Sequence, residues 1–248
     1  MKKITFVSFC VDIDRGAETV PNNVRRDISL YTQGMNENIS SILPLVVYTS
    51  EKNLYIGEHR NEENFRIFNF NKDSIIKEFP NFELYKNTYE TISKDVFESS
   101  LFFYNPLVVL KIKKIMDVIE ENPFNSDYFF WIDSYFQRGI NNIGFFNNEQ
   151  IHNECCENIK NIINDKFLIF NSHNRPFGFF WGGSKIAIQN VYLNYFSTYF
   201  ESFPNKLLTE ELIFKKLIEK SPNIFDIQNI VHYGGQYKQA VVDYLKLK

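Results

Sequence analysis

The chain has 248 residues, 44% of them apolar and 23% charged, with a formal net charge of −3. Length and apolar share suit one α/β domain with its own core, spanning 1–248, and exclude global disorder. The mild acidity excludes a dedicated nucleic-acid binder, which carries a strong basic excess, yet leaves room for a local cluster of donors around one small anion.

Residues 1–16, MKKITFVSFCVDIDRG, place basic residues ahead of an apolar run. The run is short, meets Asp12 and Asp14 early and lacks a small-residue cleavage site, so it reads as a first buried strand (4–11) rather than a signal peptide. A polar stretch with Arg15, Arg25 and Arg26 follows, then a helix over 29–42. ILPLVVYT (42–49) is a second buried strand, and FRIFNF (65–70) a third, short and alternating. Residues 71–104 mix helix and loop around Pro80.

NPLVVLKIKKIMDVIEENP (105–123) is the clearest helix. Asn105 is a cap, Pro106 sits where a missing N–H costs nothing, and Val108, Ile112, Ile115 and Ile119 recur at helical spacing. Lys113 and Asp117 pair on the outer face, and Pro123 stops the helix. DYFFWID (127–133) is apolar throughout until its terminal carboxylate, as a central strand buried on both faces would be. Strands over 166–170 and 176–183 follow, then helices over 184–200 and 209–222, the second capped by Thr209, and a last strand over 223–233. Alternation of strands and helices means α/β with a mostly parallel central sheet flanked by helices. No window is long and apolar enough to span a bilayer, which points to the cytoplasm. The three cysteines, with Cys155 and Cys156 adjacent, form neither a disulfide framework nor a zinc spacing and point to a reducing compartment. Most of the 26 Phe and 14 Tyr belong to the core; the rest suit a stacking surface for sugar rings or bases.

In open α/β sheets, ligands bind beyond the carboxyl ends of the strands. Asp133 ends such a strand, as a ribose acceptor, a cation ligand or simply a turn residue. Gly182 and Gly183 permit either close backbone approach to a ligand at a helix start or a tight turn. Glu210 and Glu211 are either a general base and a sugar contact or a charge-complemented helix start. In HYGGQYK (232–238), His232 is a candidate metal ligand, the glycines allow the chain to turn back, and Lys238 can neutralise a phosphate.

This arrangement resembles the GT-A (Rossmann-like) fold of nucleotide-sugar glycosyltransferases, where an apolar strand ends in Asp-x-Asp and, in retaining members related to bacterial galactosyltransferases and glycogenin, a late His-x-x-Gly-x-x-Lys completes the metal site and holds the diphosphate. His232, Gly235 and Lys238 match the late motif. More closely, residues 122–139 (NPFNSDYFFWIDSYFQRG) and 177–188 (FGFFWGGSKIAI) resemble the bacterial HtrL/YibB (WlaTC/HtrL-like) family, linked to surface-polysaccharide or lipooligosaccharide genes. The resemblance implies a hexosyltransferase using a nucleotide-sugar donor and a glycan or lipid-linked glycan acceptor, with peripheral contact at the inner membrane face. It implies Mn2+ or Mg2+ held by Asp133 and His232, although Ser134 and Tyr135 replace the second acid and Gln239 and Ala240 stand where Pro-Trp is usual. Arg15 then contacts the nucleotide, with Arg25 and Arg26 as further donors. Lys111 is another contact candidate, against the reading of an exposed stem. The competing readings are a non-catalytic nucleotide- or sugar-binding protein of the same fold and an aromatic-rich interaction module.

Overall fold

The computed structural model describes residues 3–17, 20, 22, 25–32, 44–50, 62–94, 97–134, 157–159, 161, 165–203, 205–230 and 240–241. Seven strands form its central sheet: β1 (Ile4–Cys10), β2 (Leu45–Thr49), β3 (Phe65–Asn69), β5 (Tyr128–Ile132), β6 (Phe167–Ser172), β7 (Arg175–Ser184) and β9 (Phe225–Asn229), in the order β3-β2-β1-β5-β7-β6-β9. A separate two-stranded parallel piece pairs β4 (Ser93–Lys94) with β8 (Lys206–Leu207). Strands β3, β2, β1 and β5 are mutually parallel, as are β6 and β9; β7 alone runs antiparallel to its neighbours β5 and β6. The sheet is thus mixed and mostly parallel, as the alternating elements predict.

Strands β1 and β5 are apolar on both faces because both faces are covered. Side chains alternate across the sheet. Val7, Phe9, Phe129 and Trp131 enter the larger core beneath the helices, whereas Phe6, Cys10, Phe130 and Ile132 enter a second core on the opposite face. The helices are α1 (Lys72–Glu78), α2 (Phe82–Thr88), α3 (Tyr104–Val109), α4 (Lys111–Glu121), α5 (Lys185–Phe200) and α6 (Glu210–Lys220).

The helix expected over 105–123 is two helices joined at Leu110. Asn105 is not its cap: it is buried within α3, and its amide donates to the Leu208 carbonyl at 3.0 Å. That bond ties α3 to the chain entering α6. Lys113 and Asp117 pair as expected at 3.1 Å, and Glu78 of α1 joins them. The strand over 65–70 and those over 166–170 and 176–183 lie where expected, β7 extending to Ser184. For the helix expected over 29–42, residues 28–32 are helical and 33–42 lie outside the described residues.

Candidate functional site

Strand order reverses between β1 and β5: from β1 the chain builds outward through β2 and β3 on one side, and β5 starts the other. Loops leaving two such parallel strands diverge to opposite sides and open a crevice at the carboxyl ends. A cavity of about 300 Å³ lies there. Val11, Asp12, Ile13 and Arg15 line it from beyond β1, Asp133 and Ser134 from beyond β5, and Glu210 and Glu211 from the start of α6.

Its centre is a buried ammonium. Lys111, at the first position of α4, is 6% exposed. Its Nζ donates to Asp133 Oδ1 at 2.9 Å, Glu210 Oε1 at 2.6 Å and the Gly178 carbonyl at 3.2 Å. An ammonium has three donors, and each of these has a protein acceptor. The exposed stem expected for Lys111 is therefore corrected. Lys111 shares the inward row of α4 with Ile115 and Val118, four and seven positions on, so its head must enter the protein. The Trp131 ring lies 5.2 Å from the ammonium, and its indole N–H donates to Asp133 Oδ1 at 2.7 Å. Asp133 falls on this face because it is two residues beyond Trp131 in an extended chain, and its own N–H is pinned to the Phe179 carbonyl at 3.0 Å.

Two carboxylates share one ammonium, and this sets their protonation. Burial alone would lower Lys111, but Asp133 and Glu210 outweigh it and keep Lys111 charged. For Glu210, 5% exposed, burial is the largest influence and pushes it up to about 7 against the pull of Lys111, with Glu211 and Asp133 pushing the same way as burial. Glu211 differs: its side chain is 25% exposed, and Oε2 takes a fork from Arg175, Nε at 2.8 Å and Nη2 at 2.7 Å. Its Oε1 receives a long 3.4 Å bond from the Gly178 N–H. Thr209 stands at the N-cap of α6 with an extended backbone, but its hydroxyl makes no cap hydrogen bond, so the expected capping by its side chain is absent.

Arg15 lies at the far wall. Its Nη1 donates to the Tyr31 hydroxyl at 2.9 Å, Nη2 lies 3.5 Å from Glu98, and its guanidinium sits 5.9 Å from the centre of the Tyr104 ring. Burial, and after it Glu210 and the neighbouring carboxylates, push the Tyr104 phenol upward, so it stays neutral. Arg26 also lines the cavity and donates to the Arg25 carbonyl at 2.7 Å; Arg25 turns its Nε to Val20 instead and is not among the lining residues.

The structure thus gathers Arg15, Lys111, Asp133, Glu210 and Glu211 in one place. Gly182 and Gly183 are elsewhere. They do not open a helix but lie inside β7, paired with Phe130 and Phe129 toward the amino end of β5, away from the cavity. A Cβ on Gly182 would stand 2.2 Å from the Phe129 carbonyl oxygen, so this glycine serves close packing within the sheet. The helix start belongs to Ser184, whose hydroxyl accepts from Ala187 N–H at 3.2 Å. The glycine that faces the site is Gly178, which sequence reasoning passed over. His232, Gly235 and Lys238 lie outside the described residues.

The described donors do not fit a divalent ion by themselves. Asp133 gives Oδ1 to an ammonium and an indole, and among the described residues no three His, Cys, Asp or Glu side chains are placed to hold one metal ion. Nor, among the described residues, is any helix long and apolar enough to cross a membrane.

No protein-family model and no curated protein matches the chain. Among solved structures, it is similar to mouse xyloside xylosyltransferase 1 in its apo form, at 7% identity and a TM-score of 0.47, over 91% of this chain and 84% of that chain.

Proposed function

We propose that the chain is a glycosyltransferase that moves a sugar from a nucleotide-sugar donor to a glycan acceptor, in surface-polysaccharide or lipooligosaccharide synthesis of the HtrL/YibB kind. One observation carries this: at the sheet's switch point a single cavity holds guanidinium groups on the β1 side, a strand-terminal aspartate on the β5 side and two glutamates opposite. That distribution suits a donor's parts. Arg15 and Arg26 suit the anionic nucleotide, Tyr31 and Tyr104 offer aromatic faces to a base, and Asp133 accepts from a ribose hydroxyl. Glu210 and Glu211 stand where sugar and acceptor meet. The resemblance of the late motif implies Lys238 at the diphosphate and His232, with Asp133, as the residues that would hold a Mn2+ or Mg2+ ion.

Transfer develops negative charge on the departing diphosphate, and fixed cations stabilise it. A second reading, nucleotide or sugar binding without turnover, is favoured by one feature: all three N–H bonds of Lys111 end on protein, so this ammonium has none to offer a leaving group.

Calorimetry with UDP, GDP, ADP and CDP, alone and with Mn2+, tests the site. Hydrolysis across a nucleotide-sugar panel, read by mass spectrometry, tests the reaction. The expected result is binding of one nucleoside diphosphate, weakened about 10- to 100-fold by Arg15→Ala, as loss of a charge-assisted hydrogen bond gives, and slow release of one sugar. Binding without turnover establishes the second reading. No binding at millimolar concentration refutes both.

A further inference from the structure

Among the described residues, every carboxylate that lines the cavity is already engaged by a cation or an N–H of the protein. Asp133 Oδ1 takes the Lys111 ammonium at 2.9 Å and the Trp131 indole N–H at 2.7 Å. Glu210 Oε1 takes the same ammonium at 2.6 Å, Glu211 Oε2 takes Arg175 at 2.8 Å, and Asp12 Oδ1 takes the Asp14 N–H at 2.8 Å. Against these acids stand Arg15, Arg26 and Lys111 on the cavity wall, and Arg175 on Glu211, so charge in the described site is balanced. A divalent ion is drawn instead to carboxylates that keep their charge for it. Asp133 does not keep it: an ion on its other oxygen would put two cations on one carboxylate, and like charges repel strongly away from bulk water. Nor can Lys111 withdraw. It is 6% exposed at the first position of α4, its third N–H ends on the Gly178 carbonyl at 3.2 Å, and its departure would strand the buried Glu210.

We propose that the Lys111 ammonium is the resident cation of this site and that the chain binds its nucleoside diphosphate without a divalent ion. This rests on the glycosyltransferase reading above, and it replaces the ion that the late-motif resemblance implies at Asp133. Lys111 neutralises Asp133 and Glu210 together and, with each N–H on a protein acceptor, positions both carboxylates rather than touching substrate. Asp133 is thereby kept as a hydrogen-bond acceptor. Its own N–H is pinned to the Phe179 carbonyl, Oδ1 is anchored from two sides, and its side chain is 38% exposed, so its second oxygen can accept from a hydroxyl of the donor. The charge of the diphosphate then falls to Arg15 and Arg26 across the cavity. The sequence agrees: neither Ser134 nor Tyr135 is acidic, so no second carboxylate beside Asp133 competes for the one ammonium.

The test is calorimetry of the full chain, stripped with EDTA and titrated with whichever of UDP, GDP, ADP and CDP it binds tightest. Kd is expected to stay within about twofold when Mn2+ or Mg2+ replaces EDTA, since an ion with no protein ligand adds no contact. The double variant Lys111→Met, Glu210→Gln removes the resident cation without leaving a lone carboxylate in the interior. Asp133 is then open to a metal, and Mn2+ is expected to tighten nucleoside diphosphate binding by about tenfold, the gain of one charge-assisted contact. Tryptophan emission reports whether this variant is folded. Should it not fold, Asp133→Asn takes its place: the amide oxygen still accepts from Lys111 and Trp131, and Kd is expected to change by the same factor in EDTA as in Mn2+. A wild-type Kd tightened by more than about twofold by either ion overturns the proposal and leaves the glycosyltransferase reading in place. A folded double variant without a Mn2+ response, or an effect of Asp133→Asn seen only with Mn2+, overturns it equally. If no nucleoside diphosphate binds in EDTA or with either ion, the glycosyltransferase reading itself has failed, and this inference with it.

Discussion

Replacing Lys111 by methionine keeps the apolar stem and removes the charge. Three acceptors lose a donor, but they do not suffer equally. The Gly178 carbonyl still receives the Trp181 indole N–H at 3.2 Å, and Asp133 still receives that of Trp131 at 2.7 Å. Asp133 is also 38% exposed at its side chain and accessible to water. Glu210, with a side chain 6% exposed, has neither relief. The loss is therefore that of breaking one buried pair, about 3–5 kcal/mol, most of it the burden of an uncompensated carboxylate. Adding Glu210→Gln removes that burden, so the double variant should be more stable than Lys111→Met alone, by roughly 2 kcal/mol, within the range found for directly contacting residues. Equilibrium urea unfolding at pH 8 reads this through tryptophan emission, because both tryptophans are buried and stack at 5.9 Å in the same core. If the two substitutions simply add to within about 0.5 kcal/mol, the ammonium and Glu210 are not energetically coupled, and Lys111 is not the cation that lets a carboxylate stay buried at the start of α6.

The glycines of β7 give a contrast. Gly182→Ala drives a Cβ against backbone, 2.2 Å from the Phe129 oxygen and 2.8 Å from the Phe130 Cα, and should cost about 3 kcal/mol or more in urea unfolding, the upper end for overpacking. Gly178→Ala meets the Glu210 carboxylate at 2.5 Å instead and drives it off Lys111, so its cost in urea unfolding should be that of breaking the buried pair, about 3–5 kcal/mol, and nucleoside diphosphate affinity should fall with it. The proton linkage of Glu210 has a definite sign. With its affinity raised from 4.5 to about 7, the folded state binds more protons than the unfolded one in between, so this group's contribution to stability is full below pH 4.5 and lost as pH rises through 7. Comparing wild type with Glu210→Gln at pH 5 and pH 8 isolates it: the wild type should lose on the order of a few kcal/mol relative to the variant, at about 1.4 kcal/mol per unit. Equal pH dependence in the two proteins would contradict that sign.

The sheet was legible because its strands are buried on both faces: continuous runs such as 4–11 and 127–133 admit few other homes, and a carboxylate that ends such a run must emerge at the sheet's rim. Asp133 was found that way. Glu210 and Glu211 were found as a pair, but their division was hidden, since which of two adjacent helix residues faces inward depends on the angle at which α6 meets β7. The fold-level reason is Asn105, whose bond to the Leu208 carbonyl sets the chain just before the helix; a contact across 103 positions leaves no local pattern. The glycines were misplaced for a related reason. PFGFFWGG contains three, and the adjacent pair reads as a turn, whereas antiparallel pairing with β5 carries that pair into the sheet and leaves the single glycine, Gly178, at the cavity. Lys111 is the instructive case, because its signal was present. It occupies the row of Ile115 and Val118, and a lysine on an apolar row either snorkels out or finds acids within. Asp133 and Glu210 are those acids, 22 and 99 positions away. A cation on the buried row of a helix, together with a carboxylate at the end of a central strand, is thus a joint signature: the buried cation needs acceptors to be tolerated, and the point where they meet marks the polar end of an otherwise aromatic core.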